Sequence, residues 1–222
     1  MRALANGPDS WIWWEWVGDH LDDIAASTRE HVLLTAVSVG IGLAISFPLA
    51  LAVRRWPSLS LPVLWAAGAM YAVPSLALFG ILVPVTGLTR TTAVIPLVTY
   101  TLLILVRNIV AGLDGVPRDV RESAAGMGYT GTGRFLRVDL PLAVPTILAG
   151  VRVATVSTIA LVTVTAVIGQ DSLGQLILDG LNRDFRTPLV VGIGLTVALA
   201  VTAEVALLAV ERVVTPWARG RR

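Results

Sequence analysis

The chain has 222 residues, of which 55% are hydrophobic and 14% are charged, and its formal net charge is +2. Because soluble domains usually carry about 25% charged residues, this composition excludes an ordinary water-soluble domain and favours a protein dissolved in lipid. Cysteine and lysine are both absent, which excludes disulfides, cysteine nucleophiles, Schiff-base chemistry and a phosphate-binding loop that needs lysine.

Residues 1–30 form a segment rich in tryptophan and acidic side chains. The clustered tryptophans are Trp11, Trp13, Trp14 and Trp16. Because tryptophan prefers the membrane–water interface, we predict that this extracytoplasmic segment lies along the membrane surface as an amphipathic helix. An aromatic cage for a cation is the less favoured alternative, since neighbouring tryptophans point in different directions.

Five apolar runs follow, and each is long enough to cross a bilayer, which takes roughly 20 helical residues. They cover residues 31–53, 59–85, 91–110, 143–169 and 189–210. A span in lipid satisfies its own backbone hydrogen bonds, so helices are predicted despite the many β-branched residues. Pro74 lies inside the second run and can split it. We therefore predict an all-α integral membrane protein with about five transmembrane helices, a transmembrane domain over residues 31–213 and a cytoplasmic basic tail over residues 214–222.

The placement of arginine predicts the orientation of the chain. With the N-terminus outside, ten arginines fall in cytoplasmic segments, namely Arg54, Arg55, Arg118, Arg121, Arg134, Arg137, Arg212, Arg219, Arg221 and Arg222. Five fall outside, namely Arg2, Arg29, Arg90, Arg183 and Arg186. Because cytoplasmic segments carry the excess of basic residues, we predict an extracytoplasmic N-terminus and a cytoplasmic C-terminus.

The polar stretch between the third and fourth runs, residues 114–141, is predicted to begin with a short cytoplasmic helix. Pro117 suits the first position of that helix, and Gly126 or Gly128 can end it in a left-handed conformation. Small residues keep the surface of this helix low, so that another protein can approach closely. They are Ala124, Ala125 and Gly126.

A second short helix is predicted in the same stretch. Thr130 or Thr132 can cap its start, and it is expected to run to Leu140 and to end before Pro141, because proline disfavours a helical residue ahead of it. Two short helices at an angle would form a knob on the cytoplasmic face between two spans.

This stretch resembles the EAA motif of permeases in bacterial ABC importers. The pattern is Glu-Ala-Ala, three residues, Gly, nine residues, then an aliphatic residue, any residue, Leu and Pro. Every spacing is kept by Glu122, Ser123, Ala124, Gly128, Val138, Leu140 and Pro141. The departures are Ser123 in place of the middle alanine and Val138 in place of the usual isoleucine.

The resemblance implies a type I ABC importer permease fold whose coupling helix docks into a groove of an ATPase subunit. The residues that it implies for this contact are Glu122, Ser123, Ala124, Ala125, Gly126, Gly128, Leu140 and Pro141. The implied partners are two ATP-binding cassette ATPases, a second identical or similar permease and an extracytoplasmic solute-binding protein, all at a bacterial cell membrane. ATP and Mg would be bound by the ATPases. No cofactor, metal, nucleic-acid partner or enzymatic activity is therefore expected in this chain.

Other segments resemble the permeases for osmoprotectants, namely glycine betaine, choline and carnitine. They cover residues 30–35, 73–78, 100–108, 149–152 and 168–174. Permeases for methionine or other small solutes share pieces of these segments, so an amino-acid type of permease is the alternative.

A path for a quaternary ammonium solute would offer aromatic faces and the backbone groups of a broken helix. The candidates for such a path are Tyr71, Pro74, Ser75, Thr99 and Tyr100. A packing or interface role is an equally weighted alternative for each of them.

Two charges inside apolar runs look buried. Arg152 lies in the fourth run and Glu204 in the fifth, and with the predicted orientation their depths coincide. Because an unpaired charge in a span costs several kcal/mol, we predict an ion pair between them. The alternative is that Arg152 extends to the cytoplasmic surface.

Three other functions are less well supported. Residues 126–131 satisfy the dinucleotide fingerprint G-x-G-x-x-G, but a helix precedes them and no acidic residue follows at the required distance. A secondary transporter would show inverted repeats and acids near the midplane, where Glu204 is the one candidate. A membrane enzyme would need converging nucleophile, base or metal ligands within the spans, and no such set is found.

Overall fold

The computed structural model describes residues 11–217, and all structural statements concern that part of the chain. The predicted contributions of Arg2, Arg219, Arg221 and Arg222 to the orientation lie outside these residues. Every regular element between residues 11 and 217 is helical, as the sequence predicts.

The first five helices are α1 Trp14–Asp19, α2 Leu21–Arg55, α3 Ser60–Ala72, α4 Ser75–Thr86 and α5 Arg90–Asp114. The next five are α6 Arg118–Gly126, α7 Gly131–Arg134, α8 Leu140–Val162, α9 Leu173–Asn182 and α10 Arg186–Val214. Turns of 3₁₀-helix cover Pro57–Leu59 and Thr163–Ile168, and a turn of π-helix covers Phe135–Asp139.

Four stretches in the described residues are long and apolar enough to cross a membrane, and a fifth results if a bent pair of helices counts as one span. The four are α2, α5, the continuous stretch Gly131–Ile168 that contains α7 and α8, and α10. The bent pair is Pro57–Ala72 with Ser75–Thr86, which meet at 92°. All five predicted runs lie within these helices, and the predicted break at Pro74 is present.

The first span begins earlier than its apolar run indicates. The run starts at residue 31, whereas α2 is continuous from Leu21. Asp22 and Asp23 lie in its first turn, where acidic side chains favour the helix dipole. Asp22 and Asp23, which lie in the predicted N-terminal segment, are therefore part of the first turn of α2.

The second helix of the polar stretch does not end before Pro141, and this prediction was wrong. The chain stays helical from Gly131 through Pro141 into α8. The ring of a proline inside a helix clashes with the carbonyl four residues earlier. Here that carbonyl belongs to Arg137, which lies within the π-turn Phe135–Asp139. In this turn the Leu140 N–H bonds to Phe135 O, and the wider turn gives the proline ring more room.

α5 lies at the centre of the bundle, packed between α2 and α8. The buried residues of this core are Ala50, Leu105, Val106, Ile109, Leu113, Ala143, Ile147 and Ala154. Two glycines let the helices approach closely: Gly42 of α2 faces Thr101, and Gly150 of α8 faces Asn108, and an added Cβ at either glycine would overlap the facing side chain. The most apolar window of α10 contains no buried residue, so α10 lies at the edge of the bundle.

Candidate functional site

The segment between α5 and α8 projects from one end of the bundle. α6 begins after Pro117 and ends at Gly126; Met127 follows as its C-cap, and Gly128 comes next with φ +85. The N–H of Gly128 donates to Ala125 O at 3.0 Å, and that of Tyr129 donates to Ala124 O at 3.2 Å. This left-handed glycine reverses the chain after a helix. The Thr130 hydroxyl then accepts from Gly133 N at 3.1 Å and caps α7, which is one of the two caps that the sequence offers.

The residues predicted for the ATPase contact do not all face outward. Those that are exposed are Glu122, Ser123, Ala125, Gly126 and Gly128. Ala124 is 1% exposed and faces the bundle, while Leu140 and Pro141 are half-buried in the start of α8. Met127, which is 71% exposed, adds an apolar side chain to the tip that the sequence analysis did not single out. We refer to residues 122–128 as the tip.

A buried aspartate holds the tip to the bundle. Asp139 has a side chain that is 2% exposed and lies among three arginines. Its carboxylate oxygens are 3.6 Å from Arg54 Nη2, 3.6 Å from Arg121 Nε and 3.7 Å from Arg134 Nε. These distances are too long for hydrogen bonds, so the contact is one of charge. Arg121 also donates to Leu113 O. Asp139 thereby connects the end of α2 with α6 and α7. The sequence analysis did not single out Asp139, because the EAA pattern accepts any residue at its position, between Val138 and Leu140.

The structure brings Arg152 and Glu204 together across α8 and α10. Arg152 Nε lies 2.9 Å from Glu204 Oε1, and Arg152 Nη1 lies 2.9 Å from Glu211 Oε2. One guanidinium therefore compensates two carboxylates on one face of α10. Glu211 was not predicted, although its spacing of two turns from Glu204 places it on the same face.

The bend between α3 and α4 exposes a backbone carbonyl that a tyrosine satisfies. Val73 and Pro74 are extended, with ψ 130 and 134, so Val73 O has no partner in either helix. The Tyr100 hydroxyl donates to this oxygen. The rings of Tyr71 and Tyr100 meet edge to face at 5.7 Å, and Tyr71 is 43% exposed. A carbonyl left without a partner in a span costs several kcal/mol, so Tyr100 stabilises the bend.

The other predicted path residues are placed differently. Ser75 is half-buried in the first turn of α4. Thr99 is 7% exposed, and its hydroxyl donates to Ile95 O within α5 at 2.9 Å. The structure thus groups Tyr71, Pro74 and Tyr100 at the bend, with Ser75 beside it, and places Thr99 in the packed interior.

At the opposite end of the bundle, α1 packs on the start of α10. Trp13 N donates to Thr187 Oγ1 at 2.9 Å, and the rings of Trp13 and Trp16 contact Phe185 at 6.3 and 5.6 Å. A cavity of about 470 Å³ opens beside this contact. Its lining includes Trp16, His20, Asp23, Asp171 and Asp179. α9, which forms one wall, was not predicted, because its ten residues are too short for a span.

Residues 37–215 match the family described as "Binding-protein-dependent transport system inner membrane component". The chain is 36% identical, over 89% of its length and 94% of the relative, to the osmoprotectant import permease protein OsmW of Salmonella typhimurium (strain LT2). It is 31% identical, over 87% of its length and 89% of the relative, to the glycine betaine/carnitine/choline transport system permease protein OpuCB of Bacillus subtilis (strain 168). Its fold is similar to a chain of the MetNI methionine ABC transporter in an inward-facing conformation, with a TM-score of 0.75 at 19% identity over 89% of this chain and 98% of that one.

Proposed function

This chain belongs to the family of binding-protein-dependent transport system inner membrane components, and from that premise we propose that it carries a quaternary ammonium osmoprotectant across the membrane. It is a multi-pass membrane protein and the non-catalytic permease subunit of an ABC transporter, which works with an ATPase and a solute-binding protein. The observation that carries the choice of solute is the similarity, along nearly the whole chain, to permeases named for osmoprotectants.

The chemistry at the bend supports the same class of solute. Glycine betaine, carnitine and choline share a trimethylammonium group, which binds the faces of aromatic rings. Tyr71 and Tyr100 meet at the bend, and Tyr71 is partly exposed there. A broken helix at the membrane midplane is a common place for a solute path. We place the path along this face, with Tyr71, Pro74, Ser75 and Tyr100 beside it.

We assign the tip to the ATPase contact. Its exposed small residues and Met127 form a surface without large protrusions, and no other part of residues 11–217 covers it. Asp139 and its three arginines fix this surface to α2 and α8. Closure of two ATPase subunits, which bind ATP and Mg, would then move the bundle through the tip. In this arrangement the tip and the C-terminus are cytoplasmic and the N-terminus is extracytoplasmic.

The complete transporter that we propose contains two copies of this permease or one copy and a similar chain. The solute-binding protein would dock on the extracytoplasmic end, where the cavity beside α1 and α9 is open. Three carboxylates, those of Asp23, Asp171 and Asp179, and one guanidinium, that of Arg183, line this cavity. A partner surface rich in lysine or arginine would complement the carboxylates.

The test is uptake by the reconstituted transporter. The chain is purified with its ATPase and placed in proteoliposomes. The solute-binding protein is added on the side of the N-terminal end of the bundle, and ATP is supplied on the side of the ATPase. We expect ATP-dependent uptake of labelled glycine betaine, carnitine or choline and none of methionine. Uptake of methionine but of none of the three would contradict the proposal and favour the amino-acid alternative.

A further inference from the structure

An open groove runs along α3 and α5 in the half of the bundle nearer the tip. It has a volume of about 500 Å³. α3 contributes one helix face of mostly small and apolar residues, among them Leu64, Gly68 and Ala72, and α5 contributes Arg107. Trp65, which is 73% exposed, stands in the same groove. Neither the EAA resemblance nor the bend accounts for this pairing of a tryptophan with an arginine.

Arg107 is a charge without a partner. Within residues 11–217 its side chain makes no ion pair and no hydrogen bond, whereas Arg152 of the fourth span contacts two carboxylates. Arg107 lies seven residues before Asp114, the last residue of α5, which is about 10 Å at 1.5 Å per residue. The side chain of Arg107 is exposed in the groove, and a charged side chain within a span needs water or an anion beside it. The groove therefore presents a guanidinium that can pair with an anionic group of a ligand.

The two polar features of the groove fit the two ends of a betaine. A guanidinium binds a carboxylate through paired hydrogen bonds, and tryptophan offers the strongest aromatic face to a trimethylammonium group. Gly68 and Ala72 leave room between α3 and α5 for a small solute. A cationic solute without a carboxylate would contact Trp65 but would offer no group that pairs with Arg107.

We propose that Arg107 and Trp65 form a transient binding site for a zwitterionic solute that carries both a carboxylate and a quaternary ammonium group, such as glycine betaine or carnitine. This inference rests on the proposed function and narrows it. A second permease packed over this face would turn the groove into part of a water-filled path. Arg107 then selects carboxylate-bearing solutes over choline during translocation.

A phospholipid headgroup shares part of this chemistry, since phosphate also pairs with arginine. The presence of Trp65 in the same groove favours a solute that carries a quaternary ammonium group as well as an anionic group. The experiment separates the two sources by comparing glycine betaine with choline, because a loss that follows from a lipid phosphate on Arg107 would affect both solutes equally.

The test compares R107Q and R107K in the complete transporter with binding protein in excess. In R107Q we expect the maximal rate of glycine betaine uptake to fall about tenfold or more, because the solute loses a charged hydrogen-bond partner. The ATP hydrolysed per betaine moved rises in parallel. R107K keeps the charge but loses the paired hydrogen bonds of the guanidinium, so we expect its rate of betaine uptake to lie between those of R107Q and wild type. Choline uptake in R107Q changes less than about twofold, since choline has no carboxylate to lose a contact. The KM for betaine, which the binding protein sets, stays unchanged.

A second pair of variants tests the aromatic side. W65F keeps a ring and retains uptake of both solutes, whereas W65L lowers the uptake of betaine and choline alike, because both carry the trimethylammonium group. Two results in R107Q would overturn the inference. One is a rate of betaine uptake within twofold of wild type. The other is an equal fractional loss of betaine and choline uptake, because such a loss is expected if Arg107 has a structural role or binds lipid. A wild-type transporter that moves neither solute would instead overturn the proposed function itself.

Discussion

Arg152 on α8 and Glu204 on α10 form an ion pair, with Arg152 Nε 2.9 Å from Glu204 Oε1. The same guanidinium reaches Glu211 at 2.9 Å. α10 buries no residue in its most apolar window, so its packing against α8 is shallow. The charge contacts therefore add to the packing of α10 on α9, where Gly192 lies against Ile177 and Gly180 against Leu189.

Removal of Arg152 is expected to destabilise the bundle more than removal of either acid. In R152M two carboxylates stay in the span without a cation, whereas in E204Q Arg152 still has Glu211. Because the side chains are between 23% and 37% exposed, we expect a loss of about 2 kcal/mol in R152M, or roughly 4–8 °C in Tm, and less than half of that in E204Q. Thermal unfolding in detergent measures both, and the swapped double variant R152E/E204R is the control. A swapped variant no more stable than R152M would show that packing, not the ion pair, holds α10.

Asp139 is expected to set the position of the tip. In D139N the three arginines around residue 139 lose the carboxylate that compensates them, and the loss of a buried charge partner costs about 3 kcal/mol or more. α6 should then detach from the bundle, so that trypsin cleaves faster at Arg118 and Arg121 and transport per ATP falls. The control is D119N, because Asp119 is exposed in the first turn of α6 and makes no ion pair within residues 11–217. Equal trypsin cleavage rates in the two variants would contradict a role for Asp139.

Features of the fold that follow from the thickness of the bilayer could be predicted from the sequence. Features that depend on contacts between residues far apart in the chain could not. The length of a span and the break at Pro74 follow from hydrocarbon thickness and from the missing N–H of proline. The pairing of Arg152 with Glu204 follows from depth. In contrast, Arg54 and Arg121 reach Asp139 from α2 and α6, and no local sequence pattern brings them to the aspartate; only Arg134 is a near neighbour in the chain.

Two further features were missed for local reasons. α9 is too short to register as a span, and its start depends on the Ser172 cap and the left-handed Gly169. Helix continuity through Pro141 depends on the π-turn ahead of it, and a sequence pattern with a period of 3.6 residues does not show such a turn.

The hydroxyl of Tyr100 is expected to contribute to the stability of the protein, whereas the hydroxyl of Tyr71 is not. Y100F leaves Val73 O at the bend without a donor, and a buried acceptor left unpaired costs about 1–3 kcal/mol. Y71F keeps the ring contact at 5.7 Å and removes a hydroxyl that makes no hydrogen bond within the described residues. We expect Y100F to lower Tm and the rate of solute uptake, with Y71F close to wild type in Tm. A Y100F protein as stable as Y71F would show that another donor satisfies the bend.

The last prediction concerns the glycine that ends α6. Gly128 has φ +85 and nothing within 4 Å of an added Cβ, whereas Gly126 is helical and equally open. A side chain at position 128 is therefore opposed by backbone strain of about 1–2 kcal/mol, while at position 126 alanine favours the helix. G126A is expected to transport normally, and G128A is expected to weaken coupling by shifting the tip.

G128W adds a large side chain to the same exposed surface. We expect normal membrane insertion and assembly of the permease, because the position is solvent-exposed and far from the core, but loss of ATP-driven uptake and of ATPase co-purification. Membrane levels, pull-down of the ATPase and uptake are measured together in G126A, G128A and G128W. If G128W binds the ATPase and transports as well as G126A does, the tip is not the coupling surface, and the ATPase contact must be sought on another part of the same end of the bundle.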